Sequence, residues 1–263
     1  MEPVTSIASL VYASTRYAEH LWCMMQETTP ELESGEAEFF VVANDASDEV
    51  LGYLAERAIP HVVQNNERLT ESELMALGVG APEYIRRVYQ GWNRAVIEAR
   101  ADCLVLLNSD HMLSPGWLAA LRKRWRPDLA LSPLTIEPTG RYGIFSEDAG
   151  CGTGAVHGEH GRTLAEFDRD AFEAHAFTIG QDILTRGGAH QPVMVSKQEI
   201  VRAGMYPEGN LHAGEFDKID EFGDQHLFRK LDEQGVKHRT WHGVVCYHFQ
   251  EGEMRETAPV EVP

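Results

Sequence analysis

Hydrophobic positions along the chain alternate between short solid runs and helical stripes. Val4 to Ala13 is rich in apolar and β-forming residues and predicts a first strand, ending at Ser14-Thr15-Arg16. From Tyr17 to Gln26 the apolar residues, Leu21 and Met24-Met25 among them, take helical spacing until Thr28-Thr29-Pro30 stops it. Glu38 to Ala43 predicts a second strand, Asn44-Asp45-Ala46-Ser47-Asp48 a loop, and Glu49 to Arg57 a second helix. His61-Val62-Val63 reads as a short third strand, and the polar stretch Asn65 to Pro82, broken by Gly78 and Gly80, as a mobile loop. Glu83 to Ala99 carries an apolar stripe of Ile85, Val88, Trp92 and Val96, with Tyr89 beside it. The run Cys103 to Leu107 then reads as a strand buried on both faces, with Asn108-Ser109-Asp110 where it runs out into a loop.

After Pro133 the order changes. Glycines crowd from Gly140 to Gly161, and Thr163 to Ala174 is charged and weakly amphipathic. Gln191 to Ser196 predicts a strand, and Lys197 to Gly204 a short helix closed by its glycine. Phe222 to Gln234 predicts a helix with Leu227, Phe228 and Leu231 inward, and His242 to His248 a final strand before an acidic tail expected to be loose. Strands alternating with helices imply an α/β fold whose central sheet is mostly parallel and flanked by helices. Residues 1–135 and 136–263 are expected to form two halves of one domain.

Composition narrows the function. A length of 263 residues suffices for one large α/β domain, and 43% hydrophobic content without internal repeats fits a globular protein. The net charge of -18 repels a phosphate backbone, so nucleic acid is not expected as a main partner. Cys23, Cys103, Cys151 and Cys246 lie far apart without a C-x-x-C pair, which argues for reduced, mostly buried thiols rather than a zinc knuckle. Met1 to Ala13 lacks a basic segment followed by a long apolar core, and no membrane-spanning run follows, so a cytoplasmic location is the expectation.

Chemistry concentrates at strand ends. Open α/β sheets bind ligands beyond the carboxyl ends of their strands, and Asp110 stands at such an end, where it can meet a metal or a phosphate. Asp110 fits an ordinary loop acid equally well, and Ser114-Pro115 suits the N-cap and first turn of a helix.

Taken in order, these stretches resemble the family 2 glycosyltransferases of the GT-A fold, closely from Val4 to Trp117 and again from Gln191 to His248. In that family the first strand ends in a short loop beside the nucleobase, the place held here by Ala13, Ser14, Thr15 and Arg16. The second strand ends in a pair of acids. Asn44-Asp45-Ala46-Ser47 matches with Asn for the first acid, which leaves Asp45 to contact the base, although it also suits a cap for the next helix. An Arg followed by an Asn on the helix before the metal strand corresponds to Arg87 and Asn93, with Arg86 not separable from Arg87 by sequence. The D-x-D signature falls on Asn108, Ser109 and Asp110. Its first position is Asn, so nucleotide-ribose contact is weakened more than metal binding, and Asp110 is the expected ligand.

The resemblance further implies a late metal-binding His at His248, in Tyr247-His248-Phe249, although a chain with twelve histidines also offers incidental ones. Hard oxygen ligands suit Mg²⁺ or Mn²⁺, and an imidazole favours Mn²⁺. Glu221-Phe222-Gly223-Asp224-Gln225-His226-Leu227 resembles the family's E-D signature with Gly223 in place of Glu, which makes Asp224 the expected general base. An acid opening a helix is also a standard cap. The implied activity is metal-dependent transfer of a sugar, of the hexosyltransferase type and inverting, from a nucleotide-diphosphate sugar to a hydroxyl acceptor of unknown kind. Two other expectations compete. Asp148-Ala149-Gly150-Cys151-Gly152-Thr153-Gly154 looks like the glycine-rich motif of S-adenosylmethionine-dependent methyltransferases, although Ser146-Glu147 interrupt the strand that should precede it. The acids lost from these signatures also fit a catalytically inactive nucleotide-sugar-binding module.

Overall fold

A computed structural model describes residues 3–138 and 155–250. The amino-terminal part follows its hydrophobic pattern: β1 (Thr5–Val11), α1 (Thr15–Thr28), β2 (Ala37–Asn44), α2 (Asp48–Glu56) and β3 (His61–Gln64). All seven residues of β1 are buried, as a strand covered on both faces requires. Ser14 and Ser47 cap α1 and α2, their hydroxyls accepting from the amides of Tyr17 and Val50.

The stretch 65–82 is not the loop its polarity suggests. It contains α3 (Glu71–Ala76) and β4 (Val79–Gly80). Six residues are too few to display a 3.6-residue period, and α3 buries only Leu74. What fixes it is a capping box in which Thr70 and Glu73 bond each other's backbone amides.

Next come α4 (Glu83–Glu98), β5 (Cys103–Asn108), β6 (His111–Leu113) and α5 (Trp117–Arg124). The cap of α5 is Gly116 in the left-handed region at φ 75°, not Ser114, because β6 keeps the chain extended through Leu113 to pair with the last strand. The second half continues with β7 (Leu129–Glu137), β8 (Ala155–His157), α6 (Arg169–Ile179), β9 (Leu184–Arg186), β10 (Val193–Ser196) and α7 (Lys197–Arg202). It ends with β11 (Asn210–His212), β12 (Ile219–Glu221), α8 (Gly223–Glu233) and β13 (Lys237–His248). α6 starts later than the charged stretch at 163 suggests, where Asp168 accepts from the Ala171 amide. β13 starts five residues before His242, because Lys237 already pairs with Leu129 of β7.

The main sheet runs β3-β2-β1-β5-β10-β7-β13-β6, with β8 and β9 paired at its side, and β12-β11-β4 form a small second sheet. The arrangement is mixed rather than purely parallel. β10 lies antiparallel between β5 and β7, so β1, β2, β5, β7 and β13 all point the same way. Side chains alternate across it: Val105 and Leu107 join one core with Tyr17, Trp117 and Tyr247, while Leu104 and Leu106 join the other with Trp92 and Leu227. Cys103 and Cys246 are buried free thiols and Cys23 an exposed one, whereas Cys151 lies outside the described residues. So do the Asp148 to Gly154 motif and the tail after Glu251. Among the described residues no helix is long and apolar enough to cross a membrane.

Candidate active site

Because those five strands share a direction, their carboxyl ends emerge along one edge of the sheet. Asp45 follows β2, Asp110 lies two residues past β5, and Glu137 and His248 are the last residues of β7 and β13. This is the edge at which open α/β sheets bind ligands.

Asp110 and His248 meet there. Nε2 of His248 stands 3.3 Å from Oδ2 of Asp110, and its Nδ1 donates to Oε1 of Glu137 at 2.7 Å. His111 stacks on His248 at 4.5 Å between centroids, completely buried, with its Nε2 unpartnered. Burial alone would drive the His248 proton off, but the carboxylates of Asp110 and Glu137 overturn that and push its pKa up to about 10. Burial would raise the Asp110 carboxyl, and the charge and hydrogen bond of His248 instead hold it well below the usual carboxylate range. His111, desolvated and beside a charged ring, is lowered to about 3.

The donor set fits a divalent cation. Asp110 offers a hard oxygen, and Glu137 on Nδ1 orients the His248 ring with Nε2 toward Asp110, the carboxylate-histidine arrangement of many metal sites, where a cation would take the place of the Nε2 proton. Among the described residues no cage of three or more His, Cys, Asp or Glu ligands is formed. A cation held by Asp110 and His248 would need ligand oxygens to complete its shell.

At the neighbouring strand end, Asp45 adopts the left-handed region at φ 53° and does not cap α2, a task that falls to Ser47. Oδ1 of Asp45 accepts from the Asn66 amide at 2.8 Å, and Oδ2 pairs with Arg87 at 2.8 Å. Burial opposes the charge on Asp45, and the bonds from Arg87 and Asn66 prevail, lowering its pKa. The ambiguity between Arg86 and Arg87 is thereby resolved: Arg87 bridges Asp45 and Glu83, while Arg86 is buried against the Glu67 carbonyl and Glu208. The Asn at position 44 also acquires a reason. Its side chain is buried and donates to the Arg87 carbonyl at 3.0 Å while accepting from Asn66, a donation no carboxylate can make.

The loop Ala13 to Arg16 lies at the same edge, joined to the Asp45 loop by the Ser47 amide donating to the Tyr12 carbonyl at 3.2 Å. Within it Ser14 is occupied as a cap, and Arg16 is exposed. Asn108 ends β5 half-buried, with Ser109 buried beside Asp110. Asn93, on α4, bonds the backbone of Tyr206. Its amide donates to the Tyr206 carbonyl and accepts from the Tyr206 amide, both at 2.9 Å, which latches α4 to the segment after α7.

Asp224 is in the first turn of α8 but is not its cap, which is Phe222 without a side-chain bond. Its Oδ2 lies 2.7 Å from Nδ1 of His190, and its Oδ1 accepts from the Gln225 amide. Burial opposes the Asp224 charge, and His190 together with backbone amides lowers its pKa all the same. β10 runs antiparallel to β5, so the segment that leads into it, with His190 three residues before its start, approaches from beside the carboxyl end of β5. Gly223 stands where the resembled signature has Glu because the space is filled. A Cβ there would meet the Tyr89 ring at 2.3 Å, and the Tyr89 hydroxyl takes the Asp224 amide while donating to Asn210.

Glu137, His190 and His111 went unread in the sequence. Glu137 closes a run of buried residues in β7 that ends on an acid, the signal that marked Asp110, while His190 precedes β10 with no motif around it.

The sheet order and this strand-end cluster define the fold of GT-A glycosyltransferases. Similar solved structures are GalNAc-T7 with UDP, GalNAc and Mn²⁺ (TM-score 0.57, 13% identity, 95% of this chain on 45% of that one). A second is the mannosyltransferase PcManGT from Pyrobaculum calidifontis with GDP-Man and Mn²⁺ (0.54, 15%, 94% on 57%). A third is S. aureus TarS 1–349 in complex with UDP-GlcNAc (0.51, 14%, 97% on 61%). The chain thus spans about half the length of the structures it matches. No protein-family model matches the sequence, and no curated protein sequence does so.

Proposed function

We propose that the protein transfers a sugar from a nucleotide-diphosphate donor to an acceptor hydroxyl with the help of Mn²⁺ or Mg²⁺, and that it inverts the anomeric carbon. The observation that carries this reading is the Asp110–His248 contact of 3.3 Å, backed by Glu137, at the ligand-binding edge of a GT-A fold. The fold neighbours are nucleotide-sugar enzymes by their own descriptions, which supports the donor class.

In this scheme residues 1–135 hold the donor. Asp45, oriented by Arg87 and Asn66, accepts from the nucleobase, and the Ala13 to Arg16 loop lines its other side. Asn108 and Ser109 face the nucleotide, and Asp110 and His248 hold the cation. Asn93 acts at a distance, by fixing α4 and so the Arg87 that α4 carries. A cation bound by these residues would supply charge stabilisation to a departing diphosphate. Asp224, in the second half, takes the proton from the acceptor hydroxyl, and His190 keeps its carboxylate turned toward the edge. A carboxylate held ionised at neutral pH is in the state that accepts a proton.

The test is a panel of nucleotide sugars with Mn²⁺, read by thermal shift and by released nucleoside diphosphate. One donor should stabilise the wild type and turn over, and Asp110→Asn should lose both the Mn²⁺-dependent stabilisation and about 100-fold or more in rate. Stabilisation by S-adenosylmethionine instead, or an Asp110→Asn variant with full activity, removes the proposal. Stabilisation without turnover by any acceptor would leave the binding-module reading in its place.

A further inference from the structure

At the opposite end of the same strands the surface changes sign. A concavity of about 400 Å³ opens where β7 and β13 begin, and five of its eight lining residues are cations: Lys123, Arg124, Arg126, Lys237 and Arg239. Leu129 and Leu184 form its apolar part, and Asp128 is the one acid in its wall. Lys237 and His248 are the two ends of β13, beside the two ends of β7 and roughly 25 Å apart along it, so this concavity is distinct from the Asp110–His248 pair.

Register adds a sixth cation. Arg239 of β13 lies directly opposite Arg186 of β9 in an antiparallel pair, a placement that is unfavourable for like charges unless something negative lies between or above them. Three acids partly answer the cluster: Asp182 pairs with Arg124, Asp128 with Arg126 at 3.2 Å, and Asp232 with Lys237 at 2.7 Å. The Asp232 carboxyl is lowered first by Lys237, with Arg186 and Arg239 adding to it, so three cations converge on one carboxylate. Six cations against three acids leave an excess of three positive charges in a chain whose total is -18. The acids orient the guanidinium groups without neutralising the cluster. Arg124 is further fixed by lying 4.9 Å from the Trp241 ring centroid, and Trp241 is bonded to Asp182.

We propose that this concavity binds a compact soluble ligand carrying more than one phosphate group. Arginine forks match phosphate oxygens in pairs, and several forks around one hollow favour a small multivalent anion over a single charge. The volume lies within the range of small-molecule sites. A hollow suits such a ligand better than a flat bilayer, which the acidic remainder of the chain would also repel.

Tripolyphosphate is the probe, titrated calorimetrically into the full chain in buffer with EDTA, so that metal-dependent binding at the other edge is silent. Wild type should bind one equivalent, and the Arg126→Gln/Arg239→Gln variant should bind about ten-fold more weakly or worse. Asp110→Asn should bind as wild type does. Arg126→Gln alone, at a side chain 69% exposed, should give a smaller loss and keeps the test readable if the double variant fails to fold. No binding by wild type, equal binding by the variants, or loss through Asp110→Asn overturns the proposal. So does binding to anionic phospholipid vesicles without binding to tripolyphosphate, which would assign the patch to a membrane surface. None of these outcomes depends on the glycosyl-transfer reading.

Discussion

The two Asp–His pairs of the candidate site are built in opposite ways. In the Asp110 pair the imidazole is clamped between two carboxylates and stacked on a second ring, with the Asp110 side chain only 10% exposed. In the Asp224 pair one carboxylate meets one imidazole, which also packs on Phe228, and their side chains are 30% and 25% exposed. A clamped, desolvated pair has fixed geometry and strong fields, which suits holding a charged ion. An open pair leaves a carboxylate oxygen reachable, which suits exchanging a proton with a substrate. The same two residue types are thus given different surroundings by burial and by the number of partners.

The sharpest way to break the comparison is Asp224→Asn. Transfer should fall by about 10³-fold while donor affinity, measured calorimetrically with Mn²⁺, stays within a factor of about two. Comparable loss of donor binding would place Asp224 with the donor instead. Glu137→Gln should have a smaller and different effect: Mn²⁺ affinity, read by electron paramagnetic resonance, should drop about ten- to 100-fold, with near-normal turnover at saturating metal. Unchanged Mn²⁺ affinity would show that the clamp has no bearing on the cation.

The smallest effect is on stability against pH without metal. His111 and His238 are pushed to about 3, each chiefly by burial, so on acidification the unfolded chain takes up protons that the fold refuses. Stability should fall as pH drops below about 6.5. His248, pushed up to about 10, works in the other direction: the folded state holds a proton that the unfolded chain releases, and its contribution fades as pH rises from about 6.5 through 10. Each group contributes at most about 1.4 kcal/mol per pH unit. Melting temperatures from pH 5 to 10 should therefore peak near neutrality, and a flat profile would contradict the burial described for these rings.

Much of this was legible in the chain. Solid apolar runs such as Cys103 to Leu107 and stripes such as that of α4 state their own secondary structure, because burial imposes a period on whichever residues must face the core. Asp110 was marked by the same logic, at the end of such a run, whereas Asp45, Asp224 and His248 were marked by the resemblance to family 2 glycosyltransferases. Short elements held by polar caps, such as α3, and the antiparallel insertion of β10 were not legible, because neither leaves a hydrophobic period long enough to read.

By itself the sequence determined which segments are buried, in what order they come, and which acids and histidines stand at their ends. Only the tertiary structure decided which of those ends meet. Glu137 and His248, 111 residues apart, become partners because β7 and β13 run parallel, with a register shift between Trp241 and Val245 that brings their ends level, and His190, which precedes a β10 that turns back along β5, meets Asp224. Strand-end chemistry is therefore a local property of sequence, whereas a site is a property of pairing, which is set by long-range contacts that no single segment encodes.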